Sequence, residues 1–273
     1  FTYHDLTPPT TADVYRARDT LASYLPETPL VKSPYLSQTY DADVYLKRED
    51  TLPTGSFKIR GITTLLAGLE RSVLDRGVIT ASTGNYGRAL AQAARWVDTE
   101  AVVAVPEGTG QNRIDGIEQL GGRVEIVGDD YDDAAAWAAD RAESEGYRYV
   151  HPGNERAVIT GTGTAGLEIA DARPDVDVVL GPIGAGSIGA GYGLSVGAVT
   201  DATVIGVQAA NVDAAYQAWK TGELTSQAEA DTFADGIAAR VPYALPIAVM
   251  RDHLDEMYTV SETAIVETVA TVF

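Results

Sequence analysis

The stretch Val176-Asp177-Val178-Val179-Leu180-Gly181-Pro182-Ile183-Gly184-Ala185-Gly186-Ser187-Ile188-Gly189 indicates the fold class most directly. Residues 176–180 have the composition of a buried strand, and the glycine-rich loop predicted at residues 181–193 leads into a helix. Glycines let backbone N–H groups close around a phosphate, so this loop predicts an anion site.

The same alternation of strand and helix continues on both sides of this loop. Further strands are predicted at residues 44–46, 78–81, 101–105, 124–127, 147–150 and 204–207. Helices are predicted to start near Lys58 and to include residues 89–96, 113–120, 131–145, 166–172 and 214–219. The alternation predicts an α/β fold with parallel-rich sheets covered by helices on both faces.

Composition narrows the classes of function. The chain has 273 residues, no cysteine and three separated histidines, His4, His151 and His253, so disulfides, thiolate chemistry and a Cys or His metal site are not expected. A net charge of −19 disfavours binding to nucleic acid or anionic membranes. Acid-rich, lysine-poor chains resemble proteins of salt-loving organisms, where screening offsets the self-repulsion.

Residues 178–200 are uncharged and long enough for a membrane span. Seven of them are glycine, which fits a loop between strand and helix better, so we expect no span. No signal peptide is visible at the start of the sequence, and the absence of cysteine fits the reducing cytoplasm. The chain starts at Phe1 without Met and ends at Phe273 inside an apolar helical pattern, which predicts that both ends are cut.

Two further loops carry groups suited to catalysis. In Pro53-Thr54-Gly55-Ser56-Phe57-Lys58, the lysine starts a helix among apolar neighbours, which favours the neutral amine needed for a Schiff base. A solvated lysine in a first helical turn is the ordinary alternative. In Thr80-Ala81-Ser82-Thr83-Gly84-Asn85-Tyr86, hydroxyls and N–H groups at a helix start suit a carboxylate, although simple capping explains them equally well.

The glycine loop has two interpretations as well. Gly184 to Gly189 matches G-x-G-x-x-G, the pattern of dinucleotide sites. Such a site needs an acid at the end of the next strand to hold the ribose, and Gln208 stands there. A phosphate therefore fits better than a dinucleotide, and the three loops together match a pyridoxal-phosphate site for amino acids.

These residues resemble fold-type II pyridoxal-phosphate enzymes, specifically the threonine ammonia-lyase and serine/threonine dehydratase family. The resemblance runs from about Thr28 to Glu262. Its markers are Tyr45-Leu46-Lys47-Arg48-Glu49-Asp50, Pro53 to Gly61, Ser82-Thr83-Gly84-Asn85, Gly161-Thr162-Gly163-Thr164 with Gly166-Leu167-Glu168, and Ala234-Asp235-Gly236. It implies a two-domain fold similar to the tryptophan synthase β subunit, with a large cofactor domain at residues 1–75 and 148–273 and a small domain at residues 76–147.

The resemblance also implies the role of each site residue. Lys58 is expected to bind pyridoxal 5'-phosphate covalently and to act as the catalytic base, with Ser82 and Thr83 as further catalytic residues. The expected cofactor contacts are Phe57, Lys58, Asn85, Gly184, Ala185, Gly186, Ser187, Ile188 and Gly236. The expected substrate contacts are Ser82, Thr83, Gly84, Asn85 and Tyr86.

The implied reaction converts L-threonine or L-serine to a 2-oxo acid and ammonia. By resemblance, this reaction belongs to amino-acid metabolism, including isoleucine biosynthesis. A homodimer or higher homo-oligomer is expected by resemblance alone.

The sequence departs from the family at several positions. Tyr86 replaces a usual histidine, and Ala185 and Ser187 stand where relatives often have glycine. Gln208 and Ala214 occupy the places of acids that hold a divalent cation in some relatives, so no metal site is expected. Relatives also continue beyond the last residue here, to a segment that holds the pyridine nitrogen.

Three alternatives stay open. Thr83 is placed like the hydroxyl base of serine racemases, so racemisation is one alternative. Ser82 to Asn85 followed by Gly87-Arg88-Ala89-Leu90 is also similar to dehydratases of ectoine catabolism. A catalytically silent protein that binds a phosphate ligand is the alternative of another class.

Overall fold

The computed structural model describes residues 6–272 of the chain; Phe1, His4 and Phe273 lie outside them. The strands of this region are β1 (Leu30–Lys32), β2 (Tyr45–Lys47), β3 (Val78–Ala81), β4 (Ala101–Val105), β5 (Arg123–Ile126), β6 (Arg148–Tyr149), β7 (Val178–Pro182), β8 (Thr203–Ala209) and β9 (Glu256–Val260). The helices are α1 (Thr11–Leu21), α2 (Pro34–Tyr40), α3 (Lys58–Ala67), α4 (Arg71–Leu74), α5 (Asn85–Trp96), α6 (Gln111–Glu118), α7 (Tyr131–Glu145), α8 (Arg156–Ala172), α9 (Ser187–Leu194), α10 (Val196–Val199), α11 (Ala214–Thr221), α12 (Ala244–His253) and α13 (Glu262–Val272).

A four-stranded sheet has the order β5-β4-β3-β6, and all its neighbouring strands are parallel. Its central strands, β3 and β4, are buried along their whole length. Apolar side chains of α5 and α6 pack on one face, and those of α7 pack on the other. The predicted α/β class, with parallel strands between layers of helix, is therefore confirmed.

A second parallel sheet has the order β7-β8-β9. Its inner face packs against α9 and α12 through residues such as Val179 and Val204. Its outer face exposes Val178, Leu180 and Tyr258. In residues 6–272 no helix covers these three side chains.

The glycine segment differs from its prediction. The strand ends at Pro182 and α9 already begins at Ser187, so residues 183–186 form the loop instead of residues 181–193. The later glycines allow two helices to touch through their backbones. A Cβ atom at Gly191 would lie 2.6 Å from the backbone nitrogen of Gly163 in α8. No helix between residues 6 and 272 has the length and apolarity that a membrane crossing requires.

A buried ionic network holds the start of α3 in place. Arg60 is 2% exposed and donates hydrogen bonds to Glu49 at 2.8 Å and to Glu168 of α8 at 2.6 Å. Lys47 donates a further bond to Glu168 at 2.5 Å. Burial alone would raise the pKa of Glu168, but the bonds from Arg60 and Lys47 hold that pKa below its usual value. The network joins β2, α3 and α8, and its central residue, Arg60, lies two residues after Lys58.

Candidate active site

A cavity of about 520 Å³ lies where β3 and β7 end and the loops after them lead into α5 and α9. Its volume is in the range of sites for small ligands. All of the site residues predicted from the sequence line it: Phe57, Lys58, Ser82, Thr83, Gly84, Asn85, Tyr86, Gly184, Ala185, Gly186, Ser187, Ile188 and Gly236. The fold therefore brings together three loops that are far apart in the sequence.

Lys58 is the first residue of α3, and its side chain is half-buried in the cavity. The Nζ atom donates a hydrogen bond to the carbonyl oxygen of Gly236, 2.9 Å away. Burial lowers the pKa of Lys58, and the nearby carboxylate of Asp235 opposes that change. Burial thus increases the fraction of neutral amine, the form that attacks a carbonyl carbon.

The loop after β3 is organised by the Ser82 side chain. Its Oγ atom accepts hydrogen bonds from the backbone N–H groups of Gly84 at 3.2 Å and Gly87 at 3.0 Å. Ser82 therefore caps the start of α5, which is the alternative to carboxylate binding that the sequence left open. Because both contacts use the oxygen as an acceptor, the hydroxyl hydrogen stays available to donate to a ligand in the cavity.

Tyr86 also lines the cavity, but its hydroxyl donates to the backbone carbonyl of His151 at 2.6 Å. Burial raises the pKa of Tyr86 well above its ordinary value, so the phenol stays protonated. Tyr86 thus joins α5 to the segment after β6, and its hydroxyl is engaged in that contact.

The glycine loop presents the start of α9 to the cavity. Gly186 has φ +96°, a conformation that glycine adopts without strain, and it precedes the first residue of α9. A Cβ atom at Gly184 would lie 2.9 Å from the Cα atom of Ile237, so this glycine permits close packing of the loop on residues 235–237. The N–H groups at this helix start form a site suited to an anion.

Several cavity residues were not predicted from the sequence. Tyr131 and Tyr243 share a side-chain hydrogen bond, and the Tyr243 ring packs edge-on against His151 with ring centres 4.9 Å apart. Burial lowers the pKa of His151 to about 4, which keeps its imidazole neutral. No local motif marks these three side chains as neighbours, since they come from separate segments.

Two ion pairs cross the cavity between residues that the sequence separates widely. Arg113 of α6 lies 3.0 Å from Asp235, and Arg240 lies 3.0 Å from Asp132 of α7. Asp235 belongs to one family marker in the sequence, whereas no sequence pattern indicated the other three residues. The two pairs connect α6 and α7 to the segment that contains Gly236.

The described residues contain no group of three or more His, Asp or Glu side chains placed to hold a metal ion. Gln208 of β8 instead accepts a hydrogen bond from the backbone nitrogen of Tyr216 at 2.8 Å.

Comparisons with known proteins agree with this architecture. L-threonine ammonia-lyase of Thermotoga maritima is 34% identical over 95% of this chain and 65% of its own length. The processed form of threonine deaminase isoform 2 from Solanum lycopersicum superposes with a TM-score of 0.87, at 30% identity over 93% of this chain and 76% of that one. Maize serine racemase superposes with a TM-score of 0.92, at 25% identity over 97% of this chain and 80% of that one.

The chain spans about 65% of the Thermotoga maritima lyase, and thus less than two thirds of that relative. The family model described as "Pyridoxal-phosphate dependent enzyme" matches residues 22–273, nearly the whole chain. The predicted fold-type II architecture is confirmed by these neighbours. The chain belongs to the family of pyridoxal-phosphate dependent enzymes.

Proposed function

We propose that this protein is a pyridoxal-phosphate-dependent ammonia-lyase that converts L-threonine, L-serine or both to a 2-oxo acid and ammonia. One observation carries the proposal: the half-buried amine of Lys58 shares a cavity with the serine-capped start of α5 and the glycine loop before α9. The similarity to threonine ammonia-lyases over most of the chain supports the same reaction.

The residues present fit pyridoxal 5'-phosphate. Lys58 supplies an amine of lowered pKa for the covalent bond. The glycine loop, from Gly184 to Ile188, supplies backbone N–H groups for the phosphate at the start of α9. No atom lies within 4 Å of the Cβ position at Gly236, so that face of the cavity leaves room for a ring. Phe57 and Asn85 complete the proposed cofactor contacts.

When bound, pyridoxal phosphate withdraws electrons from the amino acid attached to it and so makes the Cα–H bond acidic. In our proposal the neutral amine of Lys58 removes this proton. Burial favours that neutral form because it lowers the pKa of Lys58. The hydroxyl on Cβ takes up one proton and leaves as water, so that the proton removed from Cα is balanced. The released unsaturated amine regains one water and gives the 2-oxo acid and ammonia, so atoms balance.

The carboxylate of the substrate is proposed to lie at the start of α5. There the helix end is positive, the Ser82 hydroxyl keeps its hydrogen free, and Thr83, Gly84 and Asn85 face the cavity. Tyr86 is proposed to shape the substrate end of the cavity with its ring, because its hydroxyl is bound to His151.

The proposal is tested with Lys58→Ala. We expect the production of 2-oxobutanoate from L-threonine to fall by at least about 1000-fold, because both the covalent attachment and the base are removed. Lys220→Ala is the matched control, since Lys220 is exposed on α11, and it is expected to keep full activity. Full activity in Lys58→Ala would refute the proposal.

A racemase is the second candidate, favoured by the superposition on maize serine racemase and by the position of Thr83 in the cavity. Thr83 would then exchange a proton on the face of Cα opposite Lys58. Chiral chromatography of the same reaction tests this candidate: D-serine formed from L-serine, and lost in Thr83→Ala, would support it.

We further propose the wider setting of the enzyme. Residues 76–147 would form a small domain, and residues 1–75 and 148–273 the large one. The protein would act in the cytoplasm of a salt-adapted cell, as a homodimer or higher homo-oligomer, with an amino acid as its small-molecule partner. The charge of −19 supports the salt adaptation.

A further inference from the structure

Arg88 lies on α5, one turn after Asn85, and lines the same cavity. Its stem runs along α6, where the Cβ position at Gly116 is 3.6 Å from the Nε atom and 3.7 Å from the Cδ atom of Arg88. The glycine leaves space for this stem between the two helices. The Arg88 side chain is therefore packed against α6 at Gly116.

The Nε atom of Arg88 is buried and has no hydrogen-bond partner in the structure. An arginine N–H group that has left water without finding an acceptor is unfavourable, more so because the group is charged. Packing alone does not explain an arginine here, since an uncharged side chain of similar length would fill the space without that cost. The site lacks an acceptor that a ligand can supply.

The charges of the cavity point to the same conclusion. Four basic side chains line it, Lys58, Arg88, Arg113 and Arg240, against two acidic ones, Asp132 and Asp235. Both acids are already paired, with Arg240 and Arg113. In residues 6–272, these pairs leave Arg88 without a carboxylate partner. Even with the Lys58 amine neutral, the three arginines outnumber the two carboxylates, whereas the whole chain has a net charge of −19.

The position of Arg88 distinguishes it from the proposed carboxylate site at the start of α5. Residues three and four apart on a helix lie on one face, so Arg88 is about 5 Å along the axis from Gly84 and Asn85. Because Arg88 and the start of α5 line the same cavity, one ligand with two anionic groups can contact both. A ligand held by Arg88 and by the start of α5 would lie along the cavity wall that α5 forms.

We propose that Arg88 binds a second anionic group of the substrate, so that the cavity accepts hydroxy amino acids whose side chain ends in a carboxylate. This specificity rests on the proposed lyase function and extends its substrate class beyond L-threonine and L-serine. Arg88 is a specificity-determining residue in this account, and the guanidinium offers paired N–H donors that match a carboxylate.

The test uses the purified holoenzyme and two amino acids without a β-hydroxyl, L-aspartate and L-2-aminobutyrate. Dissociation constants are measured from the change that each causes in cofactor absorbance. We expect the wild type to bind L-aspartate about tenfold or more tightly than L-2-aminobutyrate. In Arg88→Gln this preference should disappear because the dissociation constant of L-aspartate rises while that of L-2-aminobutyrate stays the same. Arg88→Lys is expected to restore part of it, and Arg95→Gln, at an exposed site on the same helix, to change neither constant.

The wild-type comparison stands even if Arg88→Gln does not fold. Equal binding of the two amino acids to the wild type overturns the inference. If Arg88→Gln weakens the binding of both amino acids equally, the inference is also overturned, because Arg88 would then hold the α-carboxylate that both share. A loss of bound cofactor in Arg88→Gln overturns it as well. A wild type without cofactor absorbance refutes the lyase proposal and this inference together, whereas absorbance without a preference refutes only the inference.

Discussion

The imidazole of His151 accepts two backbone hydrogen bonds at Nδ1, from Gly153 at 3.0 Å and Asn154 at 2.9 Å. A proton added at Nδ1 would face both of these donors. Burial is the physical cause that lowers the pKa of His151 to about 4. The neutral ring packs against Tyr243 and follows the strand that pairs with β3, so it supports the cavity wall.

This environment predicts a pH dependence of stability. The folded protein keeps His151 neutral down to about pH 4, while the unfolded chain protonates it near pH 6.5, so the unfolded state binds more protons between these values. The free energy of unfolding should therefore fall as the pH falls from 6.5 to 4, by up to about 3 kcal/mol. Urea denaturation at each pH measures it.

The matched variant is His151→Asn, which keeps an acceptor near the two N–H groups and has no titrating group. Its free energy of unfolding should decline less steeply than that of the wild type over the same pH range. Identical slopes for the two proteins would show that His151 does not contribute.

Sequence patterns indicated those cavity-lining residues that sit in local motifs. Lys58 and the loop from Ser82 to Asn85 follow from helix starts, and the glycine loop from its composition. The cavity positions of Tyr131, Tyr243 and Arg88 were missed, because they arise from contacts between distant segments. For Ser82 the sequence left capping and ligand binding open, and the hydrogen-bond geometry is compatible with both.

At the scale of elements, α3 connects the proposed catalytic lysine to the core. Lys58 begins this helix, and Arg60 anchors it to Glu49 and Glu168. The three charged groups are almost completely removed from water, so each depends on the others for compensation.

Arg60→Leu should therefore lower the free energy of unfolding by about 3–5 kcal/mol, because it leaves buried carboxylates without their main counter-charge. Arg95→Leu, at an exposed site on α5, should change it by less than about 0.5 kcal/mol. Chemical denaturation compares the two variants with the wild type. A loss below about 1 kcal/mol for Arg60→Leu would contradict the role given to the network.

Strong periodicity made some elements predictable to the residue. The boundaries of β3, β4 and α7 agree with the predicted residues 78–81, 101–105 and 131–145. Helix α1 was not predicted, although Thr10 and Asp13 form a capping box that the sequence shows. Strand β9 was also missed, because it is largely exposed and its pairing with β8 is a long-range contact.

At the scale of the whole molecule, charge dominates the surface. The net charge of −19 comes from 39 acidic against 20 basic side chains. The ion pairs across the cavity are partly exposed. Exposed pairs contribute little and are screened by salt, whereas repulsion among the excess carboxylates acts throughout the surface. The balance predicts that screening stabilises the folded protein.

We expect Tm to rise by several degrees or more, roughly 5–10 °C, between 0.1 M and 2 M KCl, because salt screens the self-repulsion of a strongly acidic surface. Differential scanning calorimetry at constant pH measures the change. A Tm that falls or stays constant over this range would contradict the proposed adaptation to salt and favour an ordinary acidic protein.

The central claim, that Lys58 carries pyridoxal phosphate for a lyase reaction, is tested most directly by an absorbance spectrum in high salt before and after addition of L-threonine. We predict a band near the violet edge of the visible range that shifts on addition, together with the appearance of 2-oxobutanoate. A shift without release of the oxo acid would indicate racemisation or another reaction. No band, even after addition of pyridoxal phosphate, would contradict the claim and favour a silent phosphate-binding protein.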